Sequence, residues 1–237
     1  MALATLAPGA RVLVLDDDEY DAEAAVCALE DAEFDATALS RNERGVGVDE
    51  FLATECAEFD ALVCDHVLNS SAWFGFAGAE LVSRANSRPG RPLPAVLVTS
   101  HRNTDETGAI SRWRAGIPVV VDKPDLTEEI VPALEYTVRE LRGEFREERR
   151  RFTTPIEVLD VFDGPGPRQA RVVVVGWHLT KSVYMPLDPV LEATGLRPHE
   201  LRGRWLEAKV NCYATRADDL YYTDIVVAPD MPAEFQL

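Results

Sequence analysis

The first 140 residues alternate, five times over, between a short apolar run of strand length and a longer stretch whose apolar positions recur at helical spacing. The apolar runs are RVLVL (11–15), ATALS (36–40), ALVC (61–64), PAVLVTS (94–100) and IPVVV (117–121). Between and after them lie EYDAEAAVCALEDA, VDEFLATECAEF, GAELVSRANS, DETGAISRWRAG and LTEEIVPALEYTVRELRGEF. Near-continuous apolar strands joined by helical crossovers require a parallel sheet buried on both faces. The alternation therefore predicts a doubly wound, five-stranded α/β fold of the flavodoxin-like kind.

In such a sheet ligands bind beyond the carboxyl ends of the strands, so the residue after each apolar run carries the information. RVLVL is followed by Asp16, Asp17, Asp18 and Glu19, and ALVC by Asp65. PAVLV leads into Thr99, Ser100 and His101, and IPVVV into Asp122, Lys123 and Pro124. An isolated carboxylate at the end of a buried strand costs several kcal/mol unless it is paired or bound to a cation, roughly 3 kcal/mol or more. Taken alone, the run of four acids reads as a solvated helix start. Acids, a hydroxyl and an ammonium gathered on one sheet edge read differently. Carboxylates hold a hard cation, a central Asp serves as nucleophile, and Lys and Thr receive phosphoryl oxygens.

At these residues the sequence resembles the receiver domain of two-component response regulators, over residues 10 to about 140. The resemblance rests on VLVLDDDE, DALVCD, GAELV, PAVLVTS and AGIPVVVDKP, in that order. It implies that Asp16 and Asp17 form the acidic pair for Mg2+ and that Asp65 is the phosphoacceptor. It further implies that Val67 lends its backbone carbonyl to the metal, that Thr99 is the switch hydroxyl and that Lys123 is the phosphate-facing lysine, often followed by a cis peptide bond. The position three before that lysine, usually aromatic, is Val120, and Ser100 replaces the usual small residue after Thr99. The loop from Asp65 to Gly78 reads HVLNSSAWFGFA, longer than usual, with Trp73, Phe74 and Phe76 available to pack on the domain or meet a partner. His66 and His101 are expected at the rim of the site.

A helical pattern continues from Leu126 toward Arg151 and ends in REERRR, which suggests a helical linker over 141–151 between a domain at 1–140 and another at 152–237. Past Phe152 the texture changes to strands and turns, with one short helix around DPVLEATG. A small β-rich, barrel-like unit in the style of OB or SH3-like folds is expected there. Its aromatics Trp177, Tyr184, Trp205, Tyr213, Tyr221 and Tyr222 suit a core or a protein interface better than nucleic-acid stacking. A net charge of −17 opposes free-standing nucleic-acid binding.

The cysteines Cys27, Cys56, Cys64 and Cys212 lie far apart, without zinc-ligand spacing, and read as reduced thiols. No apolar run has the length of a membrane helix or a secretory leader, so a soluble cytoplasmic protein is expected. The expected function is a response regulator that takes a phosphoryl group on Asp65 from a sensor histidine kinase or phosphotransfer protein. That event would switch what the β-rich unit binds, an unidentified protein partner, with a homodimer left open. The only catalysis implied is self-catalysed transfer to Asp65. The alternative is an adaptor that uses the same fold as a scaffold without phosphorylation.

Overall fold

The computed structural model describes residues 6–41, 45–68, 74–100, 107–165 and 168–229. The chain divides into two compact units, Met1–Phe145 and Arg146–Leu237.

The first unit runs β1 (Arg11–Leu15), α1 (Glu19–Asp31), β2 (Asp35–Leu39), α2 (Val48–Thr54), β3 (Ala61–Asp65), α3 (Gly78–Asn86), β4 (Ala95–Thr99), α4 (Thr107–Trp113), β5 (Val120–Asp122) and α5 (Leu126–Leu141). The strands form one parallel sheet in the order β2-β1-β3-β4-β5. Strand alternation divides the core in two. Leu13, Leu15, Leu62 and Leu97 face a cluster containing Phe51 of α2 and Leu81 and Val82 of α3. Val12, Val14, Val63 and Val98 face Ala25 and Leu29 of α1 and Ile130 and Leu134 of α5. Burial on both sides is why β1, β3 and β4 read as uninterrupted apolar runs. The fifth strand starts later than its apolar run suggested, at Val120. Pro118 has no amide to give a ladder, and Ile117 only closes the short 3-10 turn before it.

Helix α5 stops at Leu141, where Gly143 adopts φ +88° and turns the chain. Residues 142–151 therefore do not continue it as a helix. They hold a turn and then a 3-10 turn at Glu147–Arg149. That second turn is packed within the second unit. The Arg149 guanidinium lies 4.1 Å above the Tyr221 ring, and the Tyr221 hydroxyl donates to the Arg149 carbonyl at 2.6 Å. Asn211 Nδ2 donates to the Glu148 carbonyl at 3.0 Å.

The second unit contains β6 (Phe152–Phe162), β7 (Gln169–Val174), β8 (Ser182–Pro186), α6 (Leu187–Thr194), α7 (Pro198–Leu201), β9 (Trp205–Val210) and β10 (Tyr222–Val227). Its strands form an antiparallel sheet in the order β10-β9-β6-β7-β8. Among the described residues the sheet is open, with β10 and β8 at its edges, and does not close into a barrel. Burial alternates strictly along β9, and Leu206, Ala208 and Val210 join Ile156, Val172 and Met185 in a single-sided core. Leu187 and Val190 of α6 and Leu201 of α7 complete that core, and this helical cover substitutes for closure of the sheet.

Candidate active site

In the order β2-β1-β3 the crossovers reverse direction between β1 and β3, which opens a crevice at the carboxyl ends of these two strands. Asp16 follows β1 and Asp65 ends β3, and each is 5 % exposed. One ligand oxygen from each of Asp16, Asp17 and Asp65 can be chosen so that all lie within 4.8 Å of one another. Asp18 has a different task. It caps α1, accepting from the amides of Tyr20 at 2.9 Å and Asp21 at 3.3 Å. Its own amide donates to Asp16 Oδ1 at 3.0 Å, which locks the cluster to the start of the helix.

Lys123 enters from the end of β5. Its Nζ lies 2.9 Å from Asp16 Oδ2, 3.2 Å from Asp65 Oδ1 and 2.6 Å from Asp21 Oδ2. The second oxygen of Asp65 accepts from the Val67 amide at 2.8 Å. A cavity of about 90 Å³ opens beside these groups, floored by Val14, Val63, Val98 and Leu126. Thr99 ends β4 fully buried, in register with Asp122 of β5. Val120 is buried as well. The peptide bonds of the described residues, Lys123–Pro124 included, are trans.

Burial raises the Asp65 carboxyl to about 6, and the neighbouring Asp16 charge adds to the rise while Lys123 opposes it. Burial also lifts Asp16, against its hydrogen bonds to Lys123 and to the Asp18 amide. For Lys123, burial disfavours the ammonium, yet hydrogen bonds to Asp21 and Asp16 and the Asp65 charge outweigh it and hold the group above its ordinary value. Three carboxylates with oxygens within 4.8 Å of one another, two of them buried, make a hard-oxygen donor set, and these residues fit Mg2+.

Strand β3 is held tightly from the far side. Gly78, the first residue of α3, donates its amide to the His66 carbonyl at 3.1 Å, and a Cβ at this position would collide with the Asp65 carbonyl oxygen. Helix α3 can meet β3 this closely only because residue 78 is glycine.

The structure thus brings together Asp16, Asp17, Asp65 and Lys123, and places Val67 and Thr99 on the same strand ends. His66 is buried at 4 % exposure, not at the rim, because its backbone pairs both with β4 and with the start of α3. His101 and Trp73 lie outside the described residues. Phe74 and Phe76 are buried and pack edge-on with each other and with Phe51 of α2, at centroid separations of 5.3 to 6.1 Å, so these two rings are committed to the domain's own core. Asp21 was not anticipated. A carboxylate in the first turn of a helix is common enough to pass unnoticed, and only the fold shows that this turn faces the end of β5.

In the second unit the aromatic residues have separate destinations. Tyr221 is buried under Arg149, Trp177 donates Nε1 to the Ala214 carbonyl at 2.7 Å, and Tyr222 packs against the core. Tyr184, Trp205 and Tyr213 remain exposed, on three different segments. Among the described residues no helix is long and apolar enough to cross a membrane.

No family model and no curated protein matches the chain. Solved structures similar to it include a response regulator receiver domain protein from Clostridium thermocellum, at 17% identity, covering 57% of this chain and 99% of that one with a TM-score of 0.43. Another is the signal receiver domain of a modulated diguanylate cyclase from Desulfovibrio desulfuricans, at 18% identity, 57% and 98% coverage and a TM-score of 0.45. A third is a CheY-like response regulator receiver domain protein from Methanospirillum hungatei, at 22% identity, 57% and 98% coverage and a TM-score of 0.41. Each is a likeness at low identity; the chemistry of the site rests on the side chains described above.

Proposed function

We propose that the first unit is a receiver module of two-component signalling that accepts a phosphoryl group on Asp65 from a sensor histidine kinase or phosphotransfer protein. The observation that carries this reading is the Asp65 carboxylate at the sheet's switch point, 3.2 Å from the Lys123 ammonium and within a three-carboxylate cluster. In the transfer, the phosphorus–nitrogen bond of a donor phosphohistidine breaks as a phosphorus–oxygen bond forms to Asp65. The electron pair leaves with the imidazole nitrogen, which takes up a proton.

Asp16, Asp17, Asp65 and the Val67 carbonyl would hold Mg2+, which supplies positive charge where the phosphoryl oxygens arrive. The Val67 amide orients the acceptor carboxylate, and Lys123 and Thr99 donate hydrogen bonds to the incoming group. The second unit would read the outcome by changing its protein contacts.

Intact-mass analysis after incubation with acetyl phosphate and Mg2+ tests this reading. One phosphoryl group is expected on the wild-type chain, and none on Asp65→Asn or in the presence of EDTA. Labelling that survives the substitution or the chelator sinks the assignment.

A further inference from the structure

Lys123 has three N–H bonds and three carboxylate partners, and the shortest contact is to Asp21, at 2.6 Å, against 2.9 Å to Asp16 and 3.2 Å to Asp65. The ammonium is therefore saturated before any phosphoryl group arrives. A phosphoryl oxygen that recruits Lys123 has to displace one of these partners. Asp16 is a poor choice, because it is buried and a released buried carboxylate is left with its desolvation cost unmet. Asp65 carries the new group itself. The Asp21 side chain is 47% exposed and can be solvated by water as soon as it lets go. It also stands outside the cation-binding trio of Asp16, Asp17 and Asp65, so its loss leaves the nucleophile and the metal ligands in place.

We propose that Asp21 is a positioning residue that competes with the phosphoryl group for Lys123. In the unphosphorylated site it draws the ammonium toward α1, and it is released when a phosphoryl oxygen takes its place. The device sets how strongly the site favours its phosphorylated form. The inference rests on the proposed role of Asp65 and adds to it a residue on a helix face that needs no contact with the phosphoryl group.

The test uses the full chain with saturating Mg2+ and beryllofluoride as the phosphoryl mimic, comparing wild type, Asp21→Asn, Asp21→Glu and Glu19→Gln. The last variant removes an exposed charge from the same helical turn, away from Lys123. Asp21→Asn is expected to bind the mimic roughly twofold to fivefold more tightly, the range of a half-exposed ion pair. Asp21→Glu is expected to return toward the wild-type affinity, and Glu19→Gln to leave it unchanged. A second readout does not depend on the mimic. The chain has only three lysines, Lys123, Lys181 and Lys209, so NMR of isotope-labelled lysine resolves the Lys123 ammonium directly. Its signal is expected to move in Asp21→Asn and to stay in Glu19→Gln. An unmoved lysine signal, or equal tightening by Glu19→Gln, overturns the competition. A wild-type chain that binds no beryllofluoride and takes no phosphoryl group overturns the proposed function and this inference together. Wild-type binding with unchanged affinity in Asp21→Asn overturns the inference alone.

Discussion

The two sheets of this protein use opposite strategies. The parallel sheet is covered on both faces, and its central strands β1, β3 and β4 carry no solvent-facing side chains apart from Arg11 at one end. The antiparallel sheet is covered on one face, and its other face presents Trp205, Tyr184, Pro155 and Val226 interleaved with Glu207, Lys209 and Arg171. The difference separates chemistry from contact. A doubly covered sheet exposes its strand ends, where a few polar groups are held in a dry, rigid frame, whereas a singly covered sheet exposes a broad surface with no focus. The carboxylates and the lysine converge in the first unit. Among the described residues, most of the large apolar side chains left in solvent, Phe162, Tyr184, Trp205 and Val226 among them, belong to the second unit, against Tyr20, Val67 and Tyr136 in the first.

The largest effect that follows from this contrast is expected at Leu62, fully buried between β1 and β4. Leu62→Ala is expected to destabilise the first unit by about 3–5 kcal/mol through lost burial and an unfilled cavity. Hydrogen exchange read separately for the two units should show the loss in residues 6–145 and not in 146–229. Equal loss in both would break the division into independent cores.

A smaller effect, of opposite sign, is expected at the site. The Asp65 carboxyl is raised from 3.8 in the unfolded chain to about 6 in the folded one. The folded state therefore binds the extra proton, and its stabilising effect is complete below 3.8 and disappears as pH rises through about 6. In metal-free buffer at neutral pH, Asp65→Asn is thus expected to be more stable than wild type by at most about 3 kcal/mol. The advantage should vanish in acid. Urea titrations at both pH values check the sign, and a destabilised Asp65→Asn at neutral pH would mean that Lys123 compensates the buried charges fully.

The smallest effect is expected on the open face. Trp205 is 44% exposed, so Trp205→Ser should cost only about 1–2 kcal/mol, from the ring's partly buried area and its strand preference. A cost above about 2 kcal/mol would show instead that this face is covered, and that the two sheets differ less than their strand burial implies.

Much of the first unit was legible in the sequence because a parallel sheet writes its rules plainly. Both faces are apolar, so the strands appear as runs, and the polar residues that follow the runs lie at one edge of the sheet. Asp16, Asp65 and Lys123, which the structure brings together, were singled out that way. Asp21 was not, since its partner is 102 positions away and helix starts attract carboxylates in any case. Arg149 was hidden for a similar reason. In REERRR every residue reads as solvated, and only the Tyr221 ring and the carbonyl-seeking Asn211 reveal that one arginine is buried. The rings at Phe74 and Phe76 were ambiguous because a loop's aromatic residues pack inward or outward according to what the next helix offers, here Phe51. Openness of the second sheet was equally unreadable, since strand number and turn chemistry are the same for a barrel and for a sheet that a helix covers.

The glycine at 78 has a mechanical consequence. Most helices rest on a sheet through side chains, which form a compliant layer able to absorb a displacement of a few tenths of an ångström by changing rotamer. Between the first turn of α3 and the carbonyl of Asp65 there is no such layer; main chain rests on main chain, tied by the hydrogen bond from Gly78 to His66. A shift of the Asp65 backbone would therefore pass undamped into the start of α3. Such a coupling would need no aromatic side chain at residue 120, where the chain has Val120.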